Sequence, residues 1–479
     1  MRKLFNNSII RNAVILLLFF IIVLALYFPV LMADPLWDDW FFLFRSRTIL
    51  EGSILKYWVW GEHRRAWPVF YSAMTLMYKF FGNEYFSYRL VNILFHAING
   101  FLIYKAIKLL KGHYALILAL IYLVHPLNFF TVSWIIQFKT LLSIFFFLIS
   151  LIYFIKNEES FSYGKYLVSI GMFALSLLAK SVFAPIALLS VFYSRKKRVL
   201  PYLIICLYSA GLTVWSTHIA PAIKTTDFLS PFIQTAVAVE NDNVEKRRSR
   251  PMVAASNNES GYIFEDAVLA FKNFARYSSF VIFPSKTLLV QKPTEVKYTV
   301  EDYLLVLVTV FGTLFLIKKS VDSKRSVLLM GVLFYIITIL PLCGFFFVPI
   351  FHYSNFVDYW LSVPVLGILL IISQLEYRKW IHFLLGGFFL VCLFRTGYIA
   401  FENKDPVTVI TNSSNENPDK SLIKLILAKH YFYSEQFSKS NAILINVKKN
   451  YNLDSKNIEK DIDTNMKAMQ GAEIDNFSL

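Results

Sequence analysis

Long runs of apolar residues recur along the chain and are separated by short polar links. A run of roughly 17 to 25 apolar residues can cross a bilayer as a helix. The runs that reach or approach this length lie at residues 9–31, 87–110, 114–130, 132–155, 166–180, 181–193, 200–218, 303–317, 327–343, 356–375 and 381–398. The pattern therefore predicts an all-α polytopic membrane protein with a bundle of about 11 transmembrane helices.

The polar segments divide the chain into a membrane domain, residues 1–400, and a helical tail, residues 401–479. The first apolar run is too long for a signal-peptide core and lacks a small-residue cleavage site, so we predict a retained span. Two large loops, 33–86 and 219–300, are predicted on the outer side, the first with helices lying along the membrane interface. Residues 428–447 of the tail have the spacing of one tetratricopeptide-like unit, with a simple helical hairpin as the alternative.

Charge is sparse and unevenly placed. Only 17% of the residues are charged, against about 25% in soluble domains. The net charge is +16, and its clusters sit in short links at 195–198, 318–319, 324–325 and 378–379, as the positive-inside rule expects of cytoplasmic loops. The partners predicted by this placement are membrane lipids and not nucleic acid. The three cysteines lie in apolar segments, so neither a disulfide framework nor a zinc site is expected.

An acidic pair stands out where the first apolar run ends, in the segment ADPLWDDWFFLF at 33–44. Asp38 and Asp39 are flanked by Trp37 and Trp40. Adjacent carboxylates repel one another, so their pKa values belong to the pair. One of them, with Asp38 favoured, is a candidate base toward a hydroxyl group, and the other would orient a substrate or hold a metal. A helix cap in a solvated loop is the alternative.

Basic residues fall in the same outer half of the predicted bundle. Lys139 lies about two turns into its run, Lys180 ends the next one, and Arg64 and Arg65 belong to the first loop. Such cations suit a leaving phosphate. Snorkelling, helix-end charges and a solvated loop are the structural alternatives, and capping or packing is the alternative for His125. The outer placement favours an enzyme over an alternating-access transporter, whose polar residues gather near the midplane.

The second run carries Asn92, His96 and Asn99 on one helical face. Polar residues spaced in this way more often join helices by hydrogen bonds than bind a substrate.

These features together resemble the GT-C glycosyltransferases, multi-span enzymes that use polyprenyl-phosphate-linked sugars. The likeness is to the transmembrane and tetratricopeptide-repeat-containing O-mannosyltransferases and the protein O-mannosyltransferases, and it spans about residues 30–400. The segments that carry it are WDDW, RRAWPVFYSAMTLMYKFFGNEYFSYRLVNILFHAINGFLIY, HPLNFFTVSWIIQFKTLLS, LLAKSVFAP, FARYSSFVIFPSKTLL and DYWLSVPVLG.

The resemblance implies a GT-C-like fold and assigns roles by position, with Asp38 and Asp39 catalytic. The residues implied to bind the donor phosphate are Lys139, Lys180, Arg64, Arg65 and His125. Those implied to bind substrate are Gln137, His96, Trp37 and Asp358. The chain departs from the family at Ser181, where an acid is usual, at Tyr359, where an arginine is usual, and in its single repeat unit.

The implied activity is transfer of a sugar from a polyprenyl-phosphate donor to a hydroxyl acceptor, with protein favoured. The lipid-linked sugar is a co-substrate, no other cofactor is assigned, and a divalent metal at the two aspartates is left open. The implied location is a bacterial inner membrane, with the site facing the periplasm or exterior. Three alternatives stand: transfer to a lipid or polysaccharide, a lipid-linked-sugar transporter or flippase, and a non-catalytic scaffold that docks partners on the tail.

Overall fold

The computed structural model describes residues 8–40, 54–58, 67–186, 199–214, 262–282, 287–291, 294, 299–322, 326–343, 356–418, 420–450 and 456–469. Every regular element in these ranges is a helix, which confirms the predicted all-α class. Arg64, Arg65, residues 187–193 of the sixth apolar run and residues 219–261 of the second large loop lie outside the described residues.

The α-helices are numbered here in chain order. They are α1 (Ser8–Tyr27), α2 (Pro68–Phe81), α3 (Tyr85–Leu109), α4 (Ala115–Val124), α5 (Phe129–Ser133), α6 (Phe138–Glu159), α7 (Tyr163–Ala179), α8 (Leu200–Val214), α9 (Tyr262–Ile282), α10 (Val300–Asp322), α11 (Ser326–Ile339), α12 (Pro364–Ser373), α13 (Lys379–Glu402), α14 (Pro406–Glu416), α15 (Ser421–Tyr433), α16 (Phe437–Asn450) and α17 (Lys456–Met469).

Within the described residues, 6 helices are long and apolar enough to span a bilayer, or 7 if a bent pair is one span. They are built on α1, α3, α6, α10, α11 and α13, and the bent pair joins α4 to the segment Pro126–Ser133. The predicted membrane class is therefore supported, and the predicted count of about 11 spans is not confirmed. The apolar surface agrees with a lipid environment, since Phe311 on α10 is 65% exposed and Phe383 on α13 is 78% exposed.

Several predicted spans are shorter than the apolar runs that suggested them. The third run breaks after Val124 because Pro126 disfavours a helical conformation at His125, which has φ −68° and ψ 128°. The two halves meet at an angle of 50°. Likewise α12 begins only at Pro364, so the run at 356–375 yields a helix of 10 residues. A hydropathy pattern does not register such breaks, because the residues on both sides of a proline are equally apolar.

Hydrogen bonds between serines fasten α6 to α7 in the centre of the bundle. Ser143 and Ser176 exchange bonds with each other's carbonyl oxygens at 2.9 and 2.8 Å. Two helical turns away, the hydroxyls of Ser150 and Ser169 donate to each other's carbonyl oxygens at 2.7 and 2.8 Å. Small hydroxyl side chains allow close helix contact and satisfy polar groups where water is excluded. This pairing fixes the end of α7, where Lys180 follows.

The tail consists of four consecutive helices, α14 to α17, each packed against the next. The predicted repeat positions Ala428, Leu444 and Val447 are fully buried between α15 and α16. Asn417 donates to the carbonyl oxygen of Val290 at 3.1 Å, which ties α14 to the segment that follows α9. The tail is thus attached to the membrane domain at the segment around Val290, as well as through its covalent link to α13.

Candidate functional site

Asp39 lies in a turn beyond the end of α1 and is completely buried. Its Oδ2 accepts from the Leu36 amide at 3.0 Å, and its Oδ1 accepts from the Ile136 amide at 3.0 Å. Burial, with the charge of Asp38 next in size, raises the pKa of Asp39 to about 7, although the two amides and Arg89 act in the opposite direction. The carboxylate therefore joins the turn that contains Asp38 and Asp39, here called the acidic turn, to the segment before α6.

Asp38 is only half-buried, in contrast to its neighbour. The preceding residue, Trp37, has a φ of 47°, in the left-handed region that non-glycine residues seldom adopt. Its indole stacks on that of Trp134 at 5.8 Å, which supplies a packing reason for this conformation. Asp39 is held by two amides, and Asp38 is the more exposed of the two carboxylates. The predicted role of Trp37 in binding substrate stays a prediction.

Arg89 on α3 contacts the acidic turn and is 3% exposed. Its guanidinium donates to the carbonyl oxygens of Asp34 at 2.7 Å, of Ser133 at 3.2 Å, and of Leu31 and Ala33. A planar fork of five donors is suited to gathering several carbonyls at once. One side chain thus holds the end of the first span, the acidic turn and the segment before α6 together.

Sequence reasoning did not single out Arg89, because an arginine near the end of a span resembles an ordinary flanking charge. A signal was present: Arg89, Asn92, His96 and Asn99 share one face of α3. The first three residues of that face contact main-chain carbonyls at or beside the irregular segment between α4 and α6. The polar face therefore satisfies carbonyls that a continuous helix would have satisfied itself.

The individual members of that face serve this structural purpose. Asn92 donates to the carbonyl oxygens of Val132 and Trp134, each at 3.1 Å. Nε2 of His96 lies 3.0 Å from the carbonyl oxygen of Leu123. These contacts match the helix-joining alternative. They place His96 in the core of the bundle, and its predicted substrate contact stays a prediction.

His125 occupies the break after α4 and is 2% exposed. Its Nδ1 accepts from the Leu127 amide at 3.3 Å, and its Nε2 lies 2.9 Å from the carbonyl oxygen of Val281 on α9. Both ring nitrogens thus engage the main chain, in agreement with the capping alternative. Phosphate binding by His125 stays a prediction.

Two lysines converge beyond the break. Nζ of Lys180 donates to Oγ1 of Thr140 at 2.8 Å, and that hydroxyl donates to Oε1 of Gln137 at 2.8 Å. Lys139 is 7% exposed and its ammonium lies 5.2 Å from the centre of the Trp67 ring. The charge of Lys139 reaches Lys180, so the two ammonium groups repel one another. Among the described residues no carboxylate lies within 4.0 Å of Lys180.

The turn Asp358–Ser362 closes another side of the site. The carbonyl oxygen of Tyr359 accepts from Thr131 at 3.2 Å, and its ring meets Trp134 edge-on at 5.5 Å. The Trp360 ring lies 5.5 Å from the ammonium of Lys180. The structure thereby brings the backbone of Asp358 toward the predicted site. The side chain of Asp358, like Arg64 and Arg65, lies outside what the structure describes.

Within the described part of the chain, no three His, Cys, Asp or Glu side chains gather in a metal-binding group.

Comparison of the chain with models of protein families and with curated proteins gives no match.

Proposed function

We propose that the chain is a membrane glycosyltransferase that moves a sugar from a polyprenyl-phosphate donor to a hydroxyl acceptor, with protein favoured. One observation carries the proposal: the acidic pair and the lysine pair are both fastened to residues 136–140. The Ile136 amide binds Asp39, and the Thr140 hydroxyl binds Lys180. The neighbour of the candidate base Asp38 and two cations are thus held by one short segment of chain, which supports transfer between a hydroxyl and a phosphate ester.

In this reaction Asp38 accepts the proton of the acceptor hydroxyl as its oxygen attacks the anomeric carbon. The bond from that carbon to the phosphate oxygen breaks, and its electron pair leaves with the phosphate. Lys139 and Lys180 offset the charge that develops on the departing oxygen. The mutual repulsion of the two ammonium groups favours an anion between them. Asp39 fixes the turn and keeps Asp38 in place.

We further propose that the site faces the periplasm or exterior of a bacterial inner membrane. The orientation follows from α3, which has Arg89 and the acidic turn at its first end and Lys105 and Lys108 near its last. Under the positive-inside rule the lysine end faces the cytoplasm. A lipid-linked donor flipped to the outer leaflet would then reach the site from the membrane.

Transfer can be tested with purified protein in sealed vesicles that contain a radiolabelled polyprenyl-phosphate hexose. We expect label on an added protein or peptide hydroxyl, identified by mass spectrometry. Label on a lipid or polysaccharide would favour the alternative acceptors. Label that crosses the vesicle membrane without changing its chemical form would identify a transporter. If the donor is intact and label is neither transferred nor transported, the proposal is refuted.

Lys180→Met should lower transfer about 10²- to 10³-fold, since one cation on the leaving phosphate is lost. Steady-state transfer rates measure the effect. The matched control is Lys165→Met on α7, because Lys165 is only partly buried and its ammonium bonds to Ser160. Equal rates for Lys180→Met and wild type would contradict the assigned role.

Transfer should also depend on pH near neutrality. The pKa of Asp39 is raised to about 7, so the last proton leaves the acidic pair in that range. Asp38 is a stronger base beside an ionised neighbour than beside a neutral one. We therefore expect kcat/KM to fall as the pH drops below about 7. A profile that stays flat from about pH 5.5 to 8 would contradict this coupling.

A further inference from the structure

Trp40, the residue after the acidic pair, is held by the tail. Its indole stacks on the ring of Tyr433 at 5.3 Å and meets the ring of His430 edge-on at 6.0 Å. Its Nε1 donates to Nδ1 of His430 at 3.4 Å, across 390 residues of sequence. Tyr85 of α3 lies on another side at 6.3 Å, and Trp40 is only 7% exposed. The residue that follows the acidic pair is therefore held by two side chains of α15.

The hydrogen bond defines the state of His430. Because Nδ1 accepts, the ring hydrogen of the neutral form is on Nε2, which lies 3.4 Å from Oγ of Ser434. Burial lowers the pKa of His430, while the carboxylates of Asp34 and Asp405 act to raise it. Tyr431 lies beside His430, Tyr85 and Tyr433 contact other sides of Trp40, and Lys429 precedes His430 on α15. The net effect favours the neutral imidazole, which is the form able to accept from Trp40.

We propose that His430 is a positioning residue for the acidic pair and acts through Trp40. This inference rests on the proposed function, since it assigns the tail a part in the same site. The Leu36 and Ile136 amides donate to the Asp39 carboxylate, so the side chain of Asp39 is held without any contact from the tail. The main chain on the other side of the acidic pair continues into Trp40, which His430 contacts. This contact fixes the position of the main chain that carries Asp38 and Asp39.

The tail has independent attachments, which makes the contact testable by substitution. Ser413 of α14 and Asn417, which follows the helix, bond to the main chain of Val290 at 3.2 and 3.1 Å. Asp405 caps α14 through the amides of Val407 and Thr408. A change at His430 therefore removes one contact and leaves α14 anchored.

Two substitutions separate the hydrogen bond from the ring. His430→Phe keeps an aromatic ring beside Trp40 but has no acceptor, whereas His430→Asn places an amide oxygen near the position of Nδ1. We expect His430→Phe to lower kcat about tenfold with little change in KM, and His430→Asn to retain most of the rate. Trp40→Phe should match His430→Phe, and the double variant should be no slower than either. The control is His382→Phe, at an exposed position on α13 near the basic link.

Hydrogen–deuterium exchange provides a readout that does not require transfer. The peptide 33–40 contains the Leu36 and Asp39 amides, which bond within the turn. In vesicles, His430→Phe should speed its exchange about tenfold and His430→Asn should not. Equal exchange in wild type and His430→Phe, or equal acceleration by both variants, would overturn the positioning role. If exchange responds as expected while wild-type protein transfers no sugar, the proposed function fails and the structural coupling stands.

Discussion

Asp38→Asn should lower sugar transfer by about 10²- to 10⁴-fold, the range expected when a positioned base is removed. The side chain is half-buried, and asparagine has nearly the same size and shape as aspartate, so the substitution adds no volume to the turn. Removal of one of two adjacent charges also relieves their repulsion. The protein should insert normally and unfold at the temperature of wild type, as measured by scanning fluorimetry in detergent.

Asp39→Asn serves as the matched comparison and should behave differently. Both of its oxygens accept from amides, so an asparagine at this position presents an NH₂ group to one donor. The mismatch costs about 1–3 kcal/mol and should lower the unfolding temperature as well as the transfer rate. If Asp38→Asn transfers sugar normally and a fully stable Asp39→Asn does not, Asp39 is the base and Asp38 is the supporting residue. Normal transfer by both would remove the catalytic assignment altogether.

Arg89→Met should produce the largest loss of stability of any substitution considered, about 3–5 kcal/mol. Its guanidinium serves four carbonyl oxygens in a place without bulk water, and methionine leaves all of them without that donor. The charge of Arg89 also supports the ionised form of Asp39, so transfer should fall with stability. Thermal unfolding and transfer rates of the same preparation measure both effects.

Arg89→Lys tests the geometry of the fork. A lysine retains the charge but offers three donors from one atom, so it should recover only part of the loss. The control is Arg378→Met, because Arg378 is 60% exposed and its side chain pairs with Glu376 at 3.4 Å at the surface. Such a substitution is expected to change stability by about 0.5 kcal/mol or less. Full stability of Arg89→Met would show that the acidic turn holds without the guanidinium.

Hydrophobic patterning was sufficient to predict a helical membrane chain, because the length and polarity of a run are local properties. It did not predict where a span bends or breaks when the break leaves the polarity unchanged, as at His125 and Pro126. The acidic pair and the lysines were found from sequence because charged groups in an apolar setting are costly and conspicuous. Which elements they contact was not readable, since neither Ile136 nor Thr140 carries any local sign of its partner.

The same limit applies to Arg89 and to the tail. The bonds of Arg89 go to main-chain carbonyls, which every residue possesses and no sequence pattern marks. His430 and Trp40 are separated by 390 residues, and a histidine in a helix that is otherwise largely apolar is unremarkable by itself. Contacts of this kind depend on how the helices are arranged, and that arrangement is a property of the whole chain.

The contact between Trp40 and α15 also has a consequence for biogenesis. Trp40 leaves the ribosome early, and α15 is synthesised after every candidate span has been made. At about 5 to 20 residues per second, the interval between the two partners is roughly 20 to 80 s. During that interval the inserted chain has its acidic turn without its final support. Completion of the tail would then act as a built-in delay, and under the proposed function a nascent or prematurely terminated chain would transfer little sugar.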